Sequence, residues 1–207
     1  RQDPRDVLVN RWGVEVAQLP QGARIGTSSP RRAAQLKALR PDVETLPIRG
    51  NVDTRLRKMD QGDYDGIVLA AAGLLRLGLE ARITQYLPPD LFVPAPGQGA
   101  LAVEVRQDDE EVLDLVSAIN HGPTRVAVTA ERAFLEALGG GCQVPVGAYA
   151  QVDGDTLVLH AFLSAPEGTP SYRTKARGRA SNPHEVALDA YQRLIEKGAG
   201  ALLKAEA

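Results

Sequence analysis

The run Gly66-Ile67-Val68-Leu69-Ala70-Ala71-Ala72-Gly73 constrains this chain more than any other feature. It is too short to cross a membrane and too apolar for a strand with one wet face. It reads as a strand buried on both sides, which requires helices above and below it. The surrounding sequence supplies them in alternation. ARIGTSS (23–29) is a short strand, PRRAAQLKALR (30–40) a helix, VETLPIRG (43–50) a strand and NVDTRLRKMDQG (51–62) a helix stopped at Gly62. LEARITQYL (79–87) is expected as a third helix. Such a βαβαβ order implies a parallel sheet with right-handed crossovers. Ligand sites in sheets of this kind lie at the carboxyl ends of the strands.

LPPDLFVPAPGQGA (87–100) follows, punctuated by four prolines and two glycines like a hinge. ALAVEVR (100–106) is expected as a strand and DEEVLDLVSAIN (109–120) as a helix. After the break at HGP (121–123), TRVAVTAERAFLEAL (124–138) is an amphipathic helix with Val126, Ala130, Phe134 and Leu138 on one face. VPVGAYAQV and TLVLHAFLS form a hairpin signalled by Asp153-Gly154, SYRTKARGR a third strand, and the segment from Asn182 a closing helix with Pro183 at its first position. The fold class expected is α/β, a parallel-sheet domain with a hinge, followed by a small α+β domain with an antiparallel three-stranded sheet.

Charge narrows the function classes. The formal net charge is −2, so no global basic field points to nucleic acid. Of 24 basic residues 19 are arginine, the side chain that forms two-pronged pairs with carboxylate or phosphate. Their placement is specific. Arg31 and Arg32 stand where a helix begins, the end its dipole already makes positive. Ser29 suits the N-cap and Pro30 the first helical position, leaving first-turn N–H groups to face an anion. At the next strand-to-helix junction stand Arg49, Gly50 and Asn51, with Arg55 one turn in. Arg76, after AAAGLL, is placed at a third junction. In a parallel sheet these junctions share one edge, so the arginines converge on a ligand with several anionic groups, such as a polycarboxylate. Gln98, in the hinge, is placed against that ligand.

The single cysteine, Cys142, lies in GGGCQVP, a glycine loop that presents it rather than buries it. None of His121, His160 and His184 has a motif that makes it a base or a metal ligand, and no metal is expected.

GTSSPRRAAQL, IRGNVDTRL, AAAGLLRLGL, PAPGQGALAVE, TAERAFL and GGGCQVPVGAYA occur in this order, and together the chain resembles the porphobilinogen deaminase (hydroxymethylbilane synthase) family over essentially its whole length. The resemblance implies a transferase of tetrapyrrole and haem biosynthesis. It joins four porphobilinogen molecules head to tail into hydroxymethylbilane, releasing ammonia, on a covalent dipyrromethane primer. It implies that Cys142 carries that cofactor through a thioether. Thr27, Ser28, Ser29, Arg31, Arg32, Arg49, Gly50, Arg55, Arg76, Gln98 and Gly99 would bind cofactor, growing chain or substrate. It also implies a binding-protein-like second domain over 5–93, hinges and a returning piece of the first domain over 94–121, and a third domain over 122–207. A soluble, cytoplasmic monomer is expected, with no nucleic-acid or membrane partner.

One departure stands out. The family's Lys-Asp-Val-Pro segment, whose Asp is the central acid–base carboxylate, does not occur in these 207 residues. Asp53, Asp63 and Asp65 do not match it, so no catalytic carboxylate is assigned. The expectation is that most of the first domain is missing and that this chain alone is incomplete. On the residues alone, a solute-binding module or an inactive remnant remains as an alternative.

Overall fold

A computed structural model describes residues 1–139 and 144–204. Its first sheet contains β1 (Asp6–Asn10), β2 (Arg24–Gly26), β3 (Glu44–Leu46), β4 (Gly66–Ala70) and β5 (Gln85–Leu87), in the order β3-β2-β4-β1-β5. Strands β2, β3 and β4 are mutually parallel, as the alternation of strand and helix requires. β1 runs antiparallel to both β4 and β5, so the sheet is mixed rather than wholly parallel. The stretch between β1 and β2 holds only a 3-10 turn at Val16–Gln18, not the crossover helix that a parallel neighbour needs.

Helices α1 (Pro30–Leu39), α2 (Val52–Asp60) and the short α3 (Ala71–Arg76) follow β2, β3 and β4. Ser29 Oγ accepts from Arg32 N at 3.4 Å, and Asn51 Oδ1 accepts from Thr54 N at 2.9 Å, so both longer helices start at side-chain caps. One face of the sheet packs Leu8, Ile25 and Val68 with Leu36 of α1 and Phe92. The other packs Val7, Val9, Ile67 and Leu69 with Leu56 and Met59 of α2 and Leu74 of α3. Ile67, Val68 and Leu69 therefore send side chains alternately into two cores, as the apolar run demands.

Two expectations fail. The segment 79–87 forms a 3-10 turn at Glu80–Arg82 and then β5, not a third helix. Tyr86 and Leu87 face opposite cores, a period-two arrangement that pairing with β1 enforces. The segment 101–105 is not a strand. Leu101 and Val103 are 81% and 58% exposed, and no neighbouring strand pairs with them among the described residues. Alternation without a partner leaves the backbone unladdered. Helix α4 (Glu110–Ser117) forms as expected but buries nothing, with Leu115 exposed beside Ile119.

The second sheet is antiparallel, β6 (Val146–Asp153), β7 (Thr156–Ser164) and β8 (Ser171–Arg179) in sequence order. The β6–β7 loop is Gly154-Asp155, one residue beyond the expected centre. Helices α5 (Gly122–Ala137) and α6 (Pro183–Glu196) cover one face through an alanine-rich core that includes Ala130, Ala148, Ala161 and Ala190 with Phe134 and Leu159. Small side chains let helix and sheet approach closely. A short α7 (Gly200–Lys204) follows. On the other face Phe162 packs with Ala34 of α1 and Val93, so the second sheet seats on the back of α1.

Candidate anion-binding site at the strand ends

The β2–α1 and β3–α2 junctions lie side by side because β2 and β3 are parallel and adjacent. Ser28 stitches them, its Oγ donating to Ile48 O at 2.7 Å and accepting from Ile48 N at 2.9 Å. Thr27 N donates to Leu46 O, and Thr27 Oγ1 accepts from Ser29 N at 3.2 Å. Thr27, Ser28 and Ser29 thus shape the loop. Gly50 has φ +118°, and a Cβ there would lie 2.7 Å from Thr54 Cγ2, so a side chain is excluded from the second junction. Arg55 Nε donates to Gly50 O at 2.8 Å and bridges that turn.

Arg31 and Arg32 do not splay into solvent. Both are drawn inward by Asp6, the first residue of β1, which is fully buried opposite Ala70 at the carboxyl end of β4. Asp6 Oδ2 accepts from Arg31 Nη1 at 2.6 Å. Asp6 Oδ1 accepts from Arg31 Nη2 at 3.2 Å, Arg32 Nε at 2.9 Å and Gln98 Nε2 at 3.1 Å. Gln98 Nε2 also donates to Pro4 O, and its Oε1 accepts from Arg31 Nη2 at 3.3 Å. Gln98 and the arginine pair are therefore one cluster, organised by a carboxylate that no motif announced.

The two arginines differ in what they have left. Arg31 also donates to Val93 O at 2.7 Å, which leaves only its Nε–H without a partner among the described residues. Arg32 donates to Val68 O at 3.3 Å and reaches Gln98 Oε1 at 3.5 Å, leaving one N–H on each terminal nitrogen without a partner among the described residues. Burial would raise the Asp6 pKa, but the Arg31 and Arg32 charges outweigh it and hold the carboxyl below its ordinary value. Burial pushes Arg32 down from its ordinary value; Asp6 opposes this, while Arg31 and Arg55 add to the push. Arg55 is therefore close enough to be felt at Arg32. Two guanidinium groups share the Asp6 carboxylate, and among the described residues neither Arg49 nor Arg55 forms an ion pair. A surplus of positive charge at the strand ends is the condition for capturing carboxylates.

The remaining expected residues are dispersed. Arg49 is exposed at the second junction. Arg76 is the last residue of α3 and exposed; the junction itself is at Ala70–Ala71, so Arg76 is not at the strand end where the sequence placed it. Gly99 O accepts from Gln2 N at 2.9 Å, tying the hinge to the segment before β1. Cys142 lies outside the described residues.

A second buried carboxylate, Glu131 of α5, was also not anticipated. It accepts from Arg1 Nη1 at 2.6 Å, Gly97 N at 2.6 Å and Ala150 N at 2.8 Å, joining the hinge to α5 and β6. Two hollows lie elsewhere. One of about 880 Å³ opens at the opposite edge of the first sheet, among residues 9–13, 59–62 and 81–84. Another of about 600 Å³ lies between residues 1–5 and the outer face of β6–β8. Neither contains the arginine pair, whose chemistry rather than concavity marks the site.

Comparison with known proteins identifies the family. Residues 1–114 match the family model described as porphobilinogen deaminase, dipyromethane cofactor binding domain, and residues 126–196 match its C-terminal domain. A protein named porphobilinogen deaminase from Roseiflexus sp. (strain RS-1) is 53% identical over 98% of this chain and 67% of its own length. Relatives of that name from Desulforudis audaxviator and Corynebacterium efficiens are 49% and 47% identical, each over 98% of this chain, and are covered over 66% and 69% of their own lengths. The chain thus spans about two thirds of the length of these relatives.

Proposed function

This chain belongs to the porphobilinogen deaminase family, a family of transferases, and we propose that it carries the surface on which that reaction's carboxylate-bearing pyrroles are held. The reaction is the stepwise joining of four porphobilinogen molecules into hydroxymethylbilane with release of ammonia. The observation that carries the reading is the surplus of guanidinium over carboxylate at the adjoining β2–α1 and β3–α2 junctions.

The donor set suits a dipyrromethane with its acetate and propionate groups. Arg32 offers two N–H groups, Arg55 and Arg49 stand at the neighbouring turn, and the Arg31 backbone N–H lies in the first turn after Ser29. When bound, the cofactor supplies the primer that is extended. The protein's part is positional. Arg32, Arg49, Arg55 and Arg76 hold carboxylates, with Arg31 fixed behind Arg32 and Thr27, Ser28, Ser29 and Gly50 shaping and lining the approach. Gln98 and Gly99 bound the site on the hinge side. Binding energy gathered on carboxylates remote from the reacting carbon fixes that carbon in place. Cys142 is the thioether anchor, used once as a nucleophile and thereafter as a tether.

The wider assignment follows the same reading. Residues 5–93 form a binding-protein-like second domain, 94–121 the hinges and a piece of the first domain, and 122–207 the third. No helix among the described residues is long and apolar enough to cross a membrane. We place the protein in the cytoplasm as a monomer. The test is intact mass. The polypeptide carrying this chain, purified from a host that makes porphobilinogen, exceeds its sequence mass by two linked pyrroles, and Cys142→Ser returns it to the bare mass. A bare mass for the unmodified protein sinks the reading in favour of a reversible binder or an inactive remnant.

A further inference from the structure

We propose that Asp6 is the positioning residue of the anion site, dividing the arginine pair into an internal clamp, Arg31, and a ligand donor, Arg32. The role rests on the proposed carboxylate-binding function. Two adjacent guanidinium groups at a helix N-terminus repel each other and the helix dipole. Left alone they separate into water. Here Arg31 and Arg32 are 6% and 12% exposed, and among the described residues the only carboxylate that pairs with either is Asp6.

The bonding pattern fixes the division. Asp6 takes the end of Arg31 in a two-pronged pair, and Val93 O and Gln98 Oε1 take its other terminal N–H groups. Asp6 takes Arg32 by Nε instead, from the side, so each terminal nitrogen of Arg32, after donating to Val68 O or Gln98 Oε1, keeps one N–H among the described residues. Side-on pairing leaves a guanidinium with N–H groups to give to a second carboxylate. A neutral partner has neither the charge to hold two arginines nor enough acceptors for four N–H groups.

This makes a prediction of unusual sign. By charge alone, a buried carboxylate beside an anion site opposes anion binding, so removing it tightens binding. By positioning, removing it loosens binding. Asp6→Asn keeps the size of the side chain and deletes the charge. Porphobilinogen titrated calorimetrically into the folded variant is expected to bind about tenfold more weakly than into the unmodified protein, the effect of misplacing one charged hydrogen bond. A purely structural Asp6 lowers the melting temperature but leaves the affinity of the folded protein unchanged. Unchanged or tighter binding overturns the proposal.

A second measurement needs no variant. Nitrogen-15 NMR of the unmodified, ligand-free protein is expected to show the Arg32 Nε–H exchanging with water at least tenfold more slowly than the exposed Arg49 Nε–H. Equal rates overturn the proposal, including where Asp6→Asn does not fold. If the unmodified protein binds no porphobilinogen, the carboxylate-binding reading fails, and the exchange rates still decide whether Asp6 holds the pair.

Discussion

Asp6 and Glu131 are the same chemistry put to different use. Each is a fully buried carboxylate that receives an arginine and helps join segments distant in sequence. Glu131 is closed, since one guanidinium and two backbone amides fill its acceptors. Asp6 is open in effect, because it holds two guanidinium groups and one of them keeps N–H donors to give. A buried ion pair by itself is therefore no mark of a site. The mark is an imbalance of donors and acceptors at a strand end.

The comparison can be broken most forcefully at Glu131. Glu131→Ala strands Arg1, Gly97 N and Ala150 N and is expected to cost about 4 kcal/mol in urea unfolding, the penalty for breaking a buried pair. A cost below about 1 kcal/mol puts the closed-hub description in error. Arg31→Leu is expected to cost about 3 kcal/mol, because Arg32 alone then compensates Asp6. Arg32→Leu costs only about 1 kcal/mol of stability yet weakens porphobilinogen binding more than tenfold. Reversal of these two profiles would assign clamp and donor the other way round.

Acid sharpens the contrast further. The Asp6 pKa is held below its ordinary value in the folded protein, so its contribution is present above the unfolded carboxyl value of about 3.9 and is lost as pH falls through the folded value. The stability gap between the unmodified protein and Asp6→Asn is thus wide at pH 7 and narrows steadily in urea titrations taken below pH 4. A gap independent of pH excludes Asp6 as the titrating group. The smallest effect belongs to Arg76, exposed at the far end of α3. Arg76→Leu is expected to leave stability within about 0.5 kcal/mol and to weaken porphobilinogen binding two- to threefold.

What the sequence disclosed depended on how local each cause was. Ser29-Pro30 and Asn51 announce helix starts within four residues, and both helices begin there. Ile67-Val68-Leu69 announces double-sided burial because each residue is apolar in its own right. β1 and β5 were hidden, since their direction depends on a partner chosen across the sheet. Leu101 and Val103 carry a strand's alternation with nothing to lie against. Within the site, the arginines and Gln98 were legible from turn chemistry, whereas Asp6 is 25 residues from Arg31. The signal that could have found it is charge balance: two inward arginines need an acid, and Asp6 opens an apolar strand at the right edge. Glu131 likewise sat unremarked in an otherwise amphipathic helix.

The β7–β8 loop has a consequence for anyone redesigning this site. Gly168, at φ +84°, lies so near α1 that a Cβ would come within 2.6 Å of Ala34 O. Arg173 of β8 reaches Gln35 Oε1 and Leu91 O from the same side. The helix that presents the arginines is thus seated in a socket made by the other half of the chain. Its sequence is not a portable cassette. Moved to another scaffold without residues 164–173, the same ten residues would keep their caps and lose their bearing. Insertions in that distant loop belong on the same list of forbidden edits as changes to the arginines themselves.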